Sequence, residues 1–241
     1  MSQPEPDPFP PLMELGALEW TDVVANCTMN RARRLEGGNG YGRELGRAPL
    51  DLVRATLERR QSAAWLDLCC GQGRALIEAA RVLEEAGQRA DVVLHGVDLV
   101  DMFAPTSGPS PPQFFVASLH AWEAPRSYDL ITCVHGFHYI GDKLDLLARV
   151  SRWLTPEGTL LAHLDLDSIH IEIEGEPARA WLRTALKRHG FAYYPQRRLV
   201  RRDGPAVIDW GLDFLGADPK AGPNYTGQPA VDAYYRRSEL A

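Results

Sequence analysis

Two carboxylates, two glycines and two histidines stand at spacings that could do chemistry in this 241-residue chain. Asp67 interrupts a short apolar run, Trp65 to Leu68, and Cys69-Cys70-Gly71-Gln72-Gly73 follows at once. Gly71 and Gly73 allow a tight turn that brings bare backbone N–H groups and a helix N-terminus close to a bound polar group. Asp98 lies 27 positions after Gly71 and closes a second apolar run, Val92 to Val97. A carboxylate at such a strand end can accept hydrogen bonds from both hydroxyls of a ribose. His135 and His138 follow a further apolar segment, Tyr128 to Val134. Histidine titrates near neutral pH, which suits a general base. His163 and Asp165 form a weaker pair of the same kind.

These side chains need elements to hold them. After Gly73 the apolar positions Leu76, Ile77, Ala80, Val82 and Leu83 have the spacing of a helix with one buried face. The reading is strand, glycine turn, helix. Val92 to Asp98 is nearly continuously apolar, as parallel strands covered on both faces are. Phe114 to Leu119 reads as a third strand and turn, and Tyr128 onward as a fourth strand. Lys143 to Leu154 is an amphipathic helix, Thr159 to Leu166 a fifth strand, and Pro177 to His189 another helix. Arg197 to Trp210 reads as a hairpin turning at Asp203-Gly204. Upstream, Leu12 to Val24 and Leu50 to Arg60 read as helices flanking a loop with four glycines between 37 and 42. Tyr41 and Arg43 in that loop fit a lid, although a packed surface connector has the same composition. Residues 1 to 11 carry five prolines and read as an extended or disordered tail. Residues 211 to 241 lie beyond that hairpin, and their turn-rich stretch 216–229 could wrap the surface, order an interface or reach the acceptor site, surface wrapping being the commoner outcome.

A dinucleotide fold wants G-x-G-x-x-G after its first strand, and Leu76 stands at the third position here. Asp67-Leu68-Cys69-Cys70-Gly71-Gln72-Gly73 instead resembles motif I of class I S-adenosylmethionine-dependent methyltransferases, with Cys69 at the first glycine position. Gly96-Val97-Asp98-Leu99 resembles the second motif of that family, and Tyr128-Asp129-Leu130-Ile131 its fourth strand. Thr155-Pro156-Glu157-Gly158 resembles its turn into strand five. The resemblance spans about residues 64 to 210. It implies an α/β three-layer sandwich with a seven-stranded, mostly parallel Rossmann-like sheet. Four stretches are then expected: a tail (1–11), an N-terminal helical cap (12–62), a methyltransferase core (63–210) and a C-terminal extension (211–241). The implied cofactor is S-adenosyl-L-methionine, leaving as S-adenosyl-L-homocysteine. Asp67 would meet its ammonium and the Cys69–Gly73 turn its carboxylate. Asp98 and Leu99 would hold the ribose side, and Ser118 and Leu119 the adenine. Val134, Tyr41 and Arg43 would line the remainder.

The chain also departs from that family. Four prolines between 104 and 112 exclude the usual helix after strand two. Ser118 stands where an acid is common. Val134-His135-Gly136-Phe137 replaces the tetrapeptide of adenine- and glutamine-directed amino-methyltransferases, which disfavours those acceptors. A net charge of −6 provides no global field for nucleic acid. The seven Lys and Arg from Arg183 to Arg202 then read as a solvated helix face and edge strand. No apolar run approaches the ~20 residues that span a membrane. The four cysteines lack metal-ligand spacing, so no metal is expected, and a reducing cytoplasm is the expected location. The function implied is methyl transfer to a small-molecule acceptor in specialised metabolism. RNA or peptide methylation and non-catalytic cofactor binding are the alternatives. The acceptor, the atom methylated and the oligomeric state stay open.

Overall fold

In the computed structural model, residues 9–25, 32–173 and 177–238 are described. Most of the proline-rich tail, Cys27 and positions 29–31 of the glycine loop lie outside the described residues. The first strand, β1 (Ala63–Leu68), is buried at all six positions, as its apolar run requires. The chain leaves it through the glycine turn and enters a helix, Arg74–Glu85, whose first residue follows Gly73 at φ 68°. β2 (Val92–Asp98), β3 (Gln113–Val116), β4 (Tyr128–Cys133) and β5 (Leu154–His163) follow. β6 (Ile169–Glu172), β7 (Phe191–Tyr194), β8 (Leu199–Asp203), β9 (Leu212–Asp218) and β10 (Asp232–Arg237) complete the strands.

The main sheet has the order β3-β2-β1-β4-β5-β8-β7. Its first five strands are parallel, and β8 runs antiparallel to both β5 and β7. This is the seven-stranded, mostly parallel sheet expected. Strand order reverses between β1 and β4, and in open α/β sheets ligands bind in the crevice beyond the carboxyl ends at such a reversal. Asp67, Asp98, His135 and His163 all come from that edge. One face of the sheet packs Val53, Trp65, Leu76 and Leu83 with the helices Pro49–Arg60 and Arg74–Glu85. The other packs Leu66, Ile131, Leu147 and Leu186 with the helices Lys143–Arg152 and Ala178–Arg188.

Four sequence expectations need correction. Leu12 to Val24 is not one helix but two four-residue pieces, Leu15–Leu18 and Asp22–Ala25. The Thr21 hydroxyl donates to the Leu18 carbonyl at 2.7 Å, and Met13 pairs antiparallel with Ala217, so both ends of the first piece are held off helix. The hairpin turns at 195–198, not at Asp203-Gly204. There the Gly204 N–H donates to the Gly158 carbonyl, and Pro205, with no N–H, cannot extend the ladder. β5 ends at His163, three residues short of Leu166, because Asp165 caps a 3-10 turn over Leu166–Ser168. Residues 211–238 do not wrap the surface. They supply β9 and β10, which join β6 in a second, three-stranded sheet.

The expected absence of a helix after β2 holds. Residues 99–112 run irregularly, stack Phe103 on Phe114 at 4.6 Å, and tie back through the Ala104 N–H to the Gln72 carbonyl. The basic run is largely engaged within the chain. Arg197 donates to the Arg43 carbonyl, Arg198 to Asp165, Arg201 to Asp203 and Arg202 to the His189 carbonyl.

Gly136 permits a close backbone approach near the crevice. A Cβ there would lie 2.4 Å from the Cys69 Cβ and 2.7 Å from the Cys133 Sγ. Gly136→Ala is therefore expected to cost about 1–3 kcal/mol through overpacking, a fall of roughly 2–12 °C in Tm. An unchanged melting curve would show that this contact is not tight.

Candidate active site

The carboxyl ends of β1, β2 and β4 line a cavity that opens to solvent. Cys69 and Gly71 form its floor, and Asp98 and Leu99 its side. The Asp98 carboxylate holds the glycine turn in place. One oxygen accepts the Gly71 N–H at 2.8 Å, the other the Val100 N–H at 3.3 Å. Cys69 has φ 51°, a left-handed conformation that costs an ordinary side chain free energy. That explains why glycine is usual at this position of the motif. Hydrogen bonding with Cys133, then burial, pushes the Cys69 thiol well up, so it stays S–H.

The far end of the cavity is apolar, with Ala117 and Leu119 on its wall beside His120. Ser118 does not line it. Its hydroxyl donates instead to the Glu19 carboxylate, and Glu19 itself faces the cavity. Glu19 was not legible in the sequence, because nothing local links it to a strand end 99 residues away. Gly73 lies behind the turn, against the Phe114 ring.

Asp67 is fully buried below the cavity and does not line it. It accepts the Tyr41 hydroxyl at 2.8 Å and the Thr132 hydroxyl at 2.6 Å. The Trp65 indole N–H in turn donates to Thr132 Oγ1. Tyr41 is thus spent on Asp67, its ring edge-on to Trp65 at 6.4 Å. Burial pushes the Asp67 carboxyl up to about 7, against the pull of its two hydroxyl partners. The raised value means the neutral acid is favoured in the folded chain. The stability it contributes is full below the ordinary carboxyl value and lost as pH rises through about 7. Asp67→Asn should remove that dependence. Denaturant melts at pH 5 and pH 8 should show the variant gaining on the wild type at the higher pH. A constant difference would refute the assignment.

A second cleft opens on the other side of His135, lined by Gly38, Arg43, Glu44, His163 and Tyr225 among others. Arg43 faces this cleft rather than the first cavity, its guanidinium on the Gly38 carbonyl at 2.9 Å. His135 lines both spaces, and its backbone takes φ 62° to do so. Its Nε2 meets Glu44 Oε2 at 3.0 Å, while Arg33 holds Glu44 Oε1 at 2.8 Å. Its Nδ1 faces the Tyr225 hydroxyl at 3.3 Å and His138 Nε2 at 3.4 Å. The His163 ring stacks on it at 4.1 Å, inclined by 5°. Burial pulls His135 below its ordinary value and His138 well below, and brings His163 to about 3. All three imidazoles are neutral at pH 7. Despite burial, His135 and Arg33 together hold the Glu44 carboxyl below its usual range. Burial pushes Tyr225 up to about 12, so its hydroxyl keeps its proton. His138 is buried beneath, its Nδ1 unpartnered, and lines neither space. Tyr225 arrives on the loop between β9 and β10, with Arg198 over its ring at 4.2 Å.

Glu44, His135 and His163 place one possible metal-ligand atom each within 4.8 Å of the others. Their geometry serves hydrogen bonding better. Lone pairs on parallel stacked rings run side by side rather than converge on one ion, and Arg33 already neutralises Glu44.

Residues 41–202, more than half of the chain, match the sequence family described as a methyltransferase domain. The chain belongs to this family, and its fold and motif I place it among class I S-adenosylmethionine-dependent methyltransferases. No curated protein sequence matches it significantly. Similar solved structures include the plantazolicin methyltransferase BpumL in complex with a monoazolic desmethylPZN analog and SAH, with 17% identity over 46% of this chain and 42% of that one, TM-score 0.38. The sugar N-methyltransferase KedS8 from Streptoalloteichus sp ATCC 53650 is 22% identical over 47% and 46%, TM-score 0.33. SAM-bound CalS10, an amino pentose methyltransferase from Micromonospora echinaspora, is 18% identical over 52% and 51%, TM-score 0.35. The match spans about half the length of each of these proteins or less. No helix among the described residues is long and apolar enough to cross a membrane.

The cavity fits the family's cofactor. It combines a strand-end acid, a glycine turn with Gly71 at φ 58°, and an apolar far wall.

Proposed function

We propose that this protein transfers the methyl group of S-adenosylmethionine to a small-molecule acceptor bound in the second cleft. The observation that carries the reading is the position of His135, the side chain shared by the strand-end cavity and the open cleft. Bound S-adenosylmethionine supplies a methyl group on a sulfonium, and the protein's task is to hold donor and acceptor at near-attack distance. Asp98 takes the ribose hydroxyls. The backbone of the Cys69–Gly73 turn takes the carboxylate. Leu99, Leu119 and Val134 enclose the apolar parts, and Glu19 supplies a carboxylate at the adenine end that Ser118 lacks. For Asp67 to meet the ammonium, Tyr41 must give up its hydrogen bond. Arg43 belongs with the acceptor cleft, and His138 supports His135 from below.

The test is incubation with isotope-labelled S-adenosylmethionine and fractionated extracts, followed by mass detection of a methyl gain. Label is expected in a low-molecular-mass compound. Label in RNA or protein would replace the small-molecule reading, and cofactor binding without transfer would favour a binding protein. A cytoplasmic location suits the buried free thiols Cys70 and Cys133.

The cap is part of the proposal, because Glu19 and Val24 wall the cavity and Tyr41 lies over Asp67. Residues 29 to 47 should resist trypsin at Arg33, Arg34 and Arg43 when S-adenosylhomocysteine is bound. Equal cleavage rates with and without it would remove the lid.

A further inference from the structure

We propose that the atom methylated is a hydroxyl oxygen, and that Arg33, Glu44 and His135 form the chain that takes up its proton. This rests on the reading of the second cleft as the acceptor site. Glu44 spends one oxygen on Arg33 and turns the other to His135 Nε2. A carboxylate accepts only, so His135 must carry its proton on Nε2 and present a bare lone pair at Nδ1. The groups facing Nδ1, the Tyr225 hydroxyl and His138 Nε2, stand at 3.3 and 3.4 Å, the long end of hydrogen bonding. Either can donate to that lone pair, as an incoming hydroxyl would. Tyr225, on an exposed loop, is the one an acceptor can displace. The His163 ring stacked on His135 fixes its plane.

A neutral amine attacks through its own lone pair and needs no proton removed before it does so. A hydroxyl does need it. The balance is simple. The acceptor O–H proton moves to His135 Nδ1 as the oxygen forms its bond to the methyl carbon. The carbon–sulfur bond breaks, its electron pair stays on sulfur, and the donor leaves as a neutral thioether. The positive charge that began on sulfur ends on the imidazole, 3.0 Å from the Glu44 carboxylate. His135 is here the catalytic residue. Glu44 is a positioning residue, with Arg33 fixing its rotamer.

Three readouts test this. Nitrogen-15 NMR of the histidines in the S-adenosylhomocysteine-bound protein should show His135 protonated at Nε2 and bare at Nδ1, and Glu44→Gln should disturb that tautomer. Glu44→Gln should also lower kcat about 10- to 100-fold with KM for S-adenosylmethionine little changed. The acid limb of the pH–rate profile should move to lower pH, because the lost carboxylate had raised the proton affinity of His135. Glu44→Asp should restore part of the rate. The carbon-13 shift of the transferred methyl should identify an O-methyl product. A methyl on nitrogen or carbon, the opposite tautomer, or activity abolished by a metal chelator and restored by a divalent cation would overturn the proposal while leaving methyl transfer standing. No transfer to any acceptor despite cofactor binding would remove the parent reading, and this one with it.

Discussion

Asp98→Ala is expected to weaken S-adenosylhomocysteine binding roughly 10- to 1,000-fold. Hydrogen bonds to a charged group contribute about 1.5–3 kcal/mol each. Two ribose bonds sharing one residue need not add, and each decade of affinity corresponds to about 1.4 kcal/mol. The structure adds a reason to expect the upper part of that range. The same carboxylate accepts the Gly71 N–H at 2.8 Å, so the alanine variant also loses the bond that holds the glycine turn. Asp98→Asn should fall between, since one amide oxygen can serve either the turn or the ribose but carries no charge. Asp98 sits at the strand end, with its neighbours in β2 paired to both β1 and β3, so the fold should survive both changes. Calorimetric titration with matched circular dichroism measures this. An unchanged dissociation constant in a folded Asp98→Ala protein would end the ribose assignment.

The second large effect is at His135. Its removal should cut turnover about 100-fold or more with cofactor affinity little changed, the signature of a group acting in the transition state. Alanine is not the best probe alone, because the backbone there sits at φ 62°. Asparagine tolerates that region better, so His135→Asn separates lost chemistry from strain. Single-turnover rates at saturating S-adenosylmethionine, alongside S-adenosylhomocysteine affinity, give the split. The two substitutions should agree. His138→Ala should instead act mainly on stability, because that ring is buried and lies behind His135 and Tyr225 without lining the cleft. Wild-type turnover in His135→Asn would return the residue to a packing role.

The motif residues divide in an instructive way. Cys69, Gly71, Asp98, Leu99, Leu119, Val134 and His135 line the cavity. Tyr41, Asp67, Gly73, Ser118 and His138 support it from behind, and Arg43 faces the neighbouring cleft. A motif marks the strand end and the turn, where backbone geometry is local. It does not say which side chain faces the cavity and which is covered by a neighbour.

The sequence by itself determined the parallel core. The short, largely apolar runs at Trp65–Leu68, Val92–Val97 and Tyr128–Val134 suit strands covered on both faces, and the glycines after the first suit a tight turn. Those are short-range demands, and the topology that satisfies them brings Asp98 and His135 to one edge. Tertiary structure alone decided the rest. Glu19 meets Ser118 across 99 positions and Glu44 meets His135 across 91. Tyr225 arrives from a second sheet whose strands come from separate parts of the chain. Each carries its polar group to the site because that position leaves it paired rather than buried alone. No periodicity in a single chain records such a pairing, since the partner is chosen by packing and not by spacing.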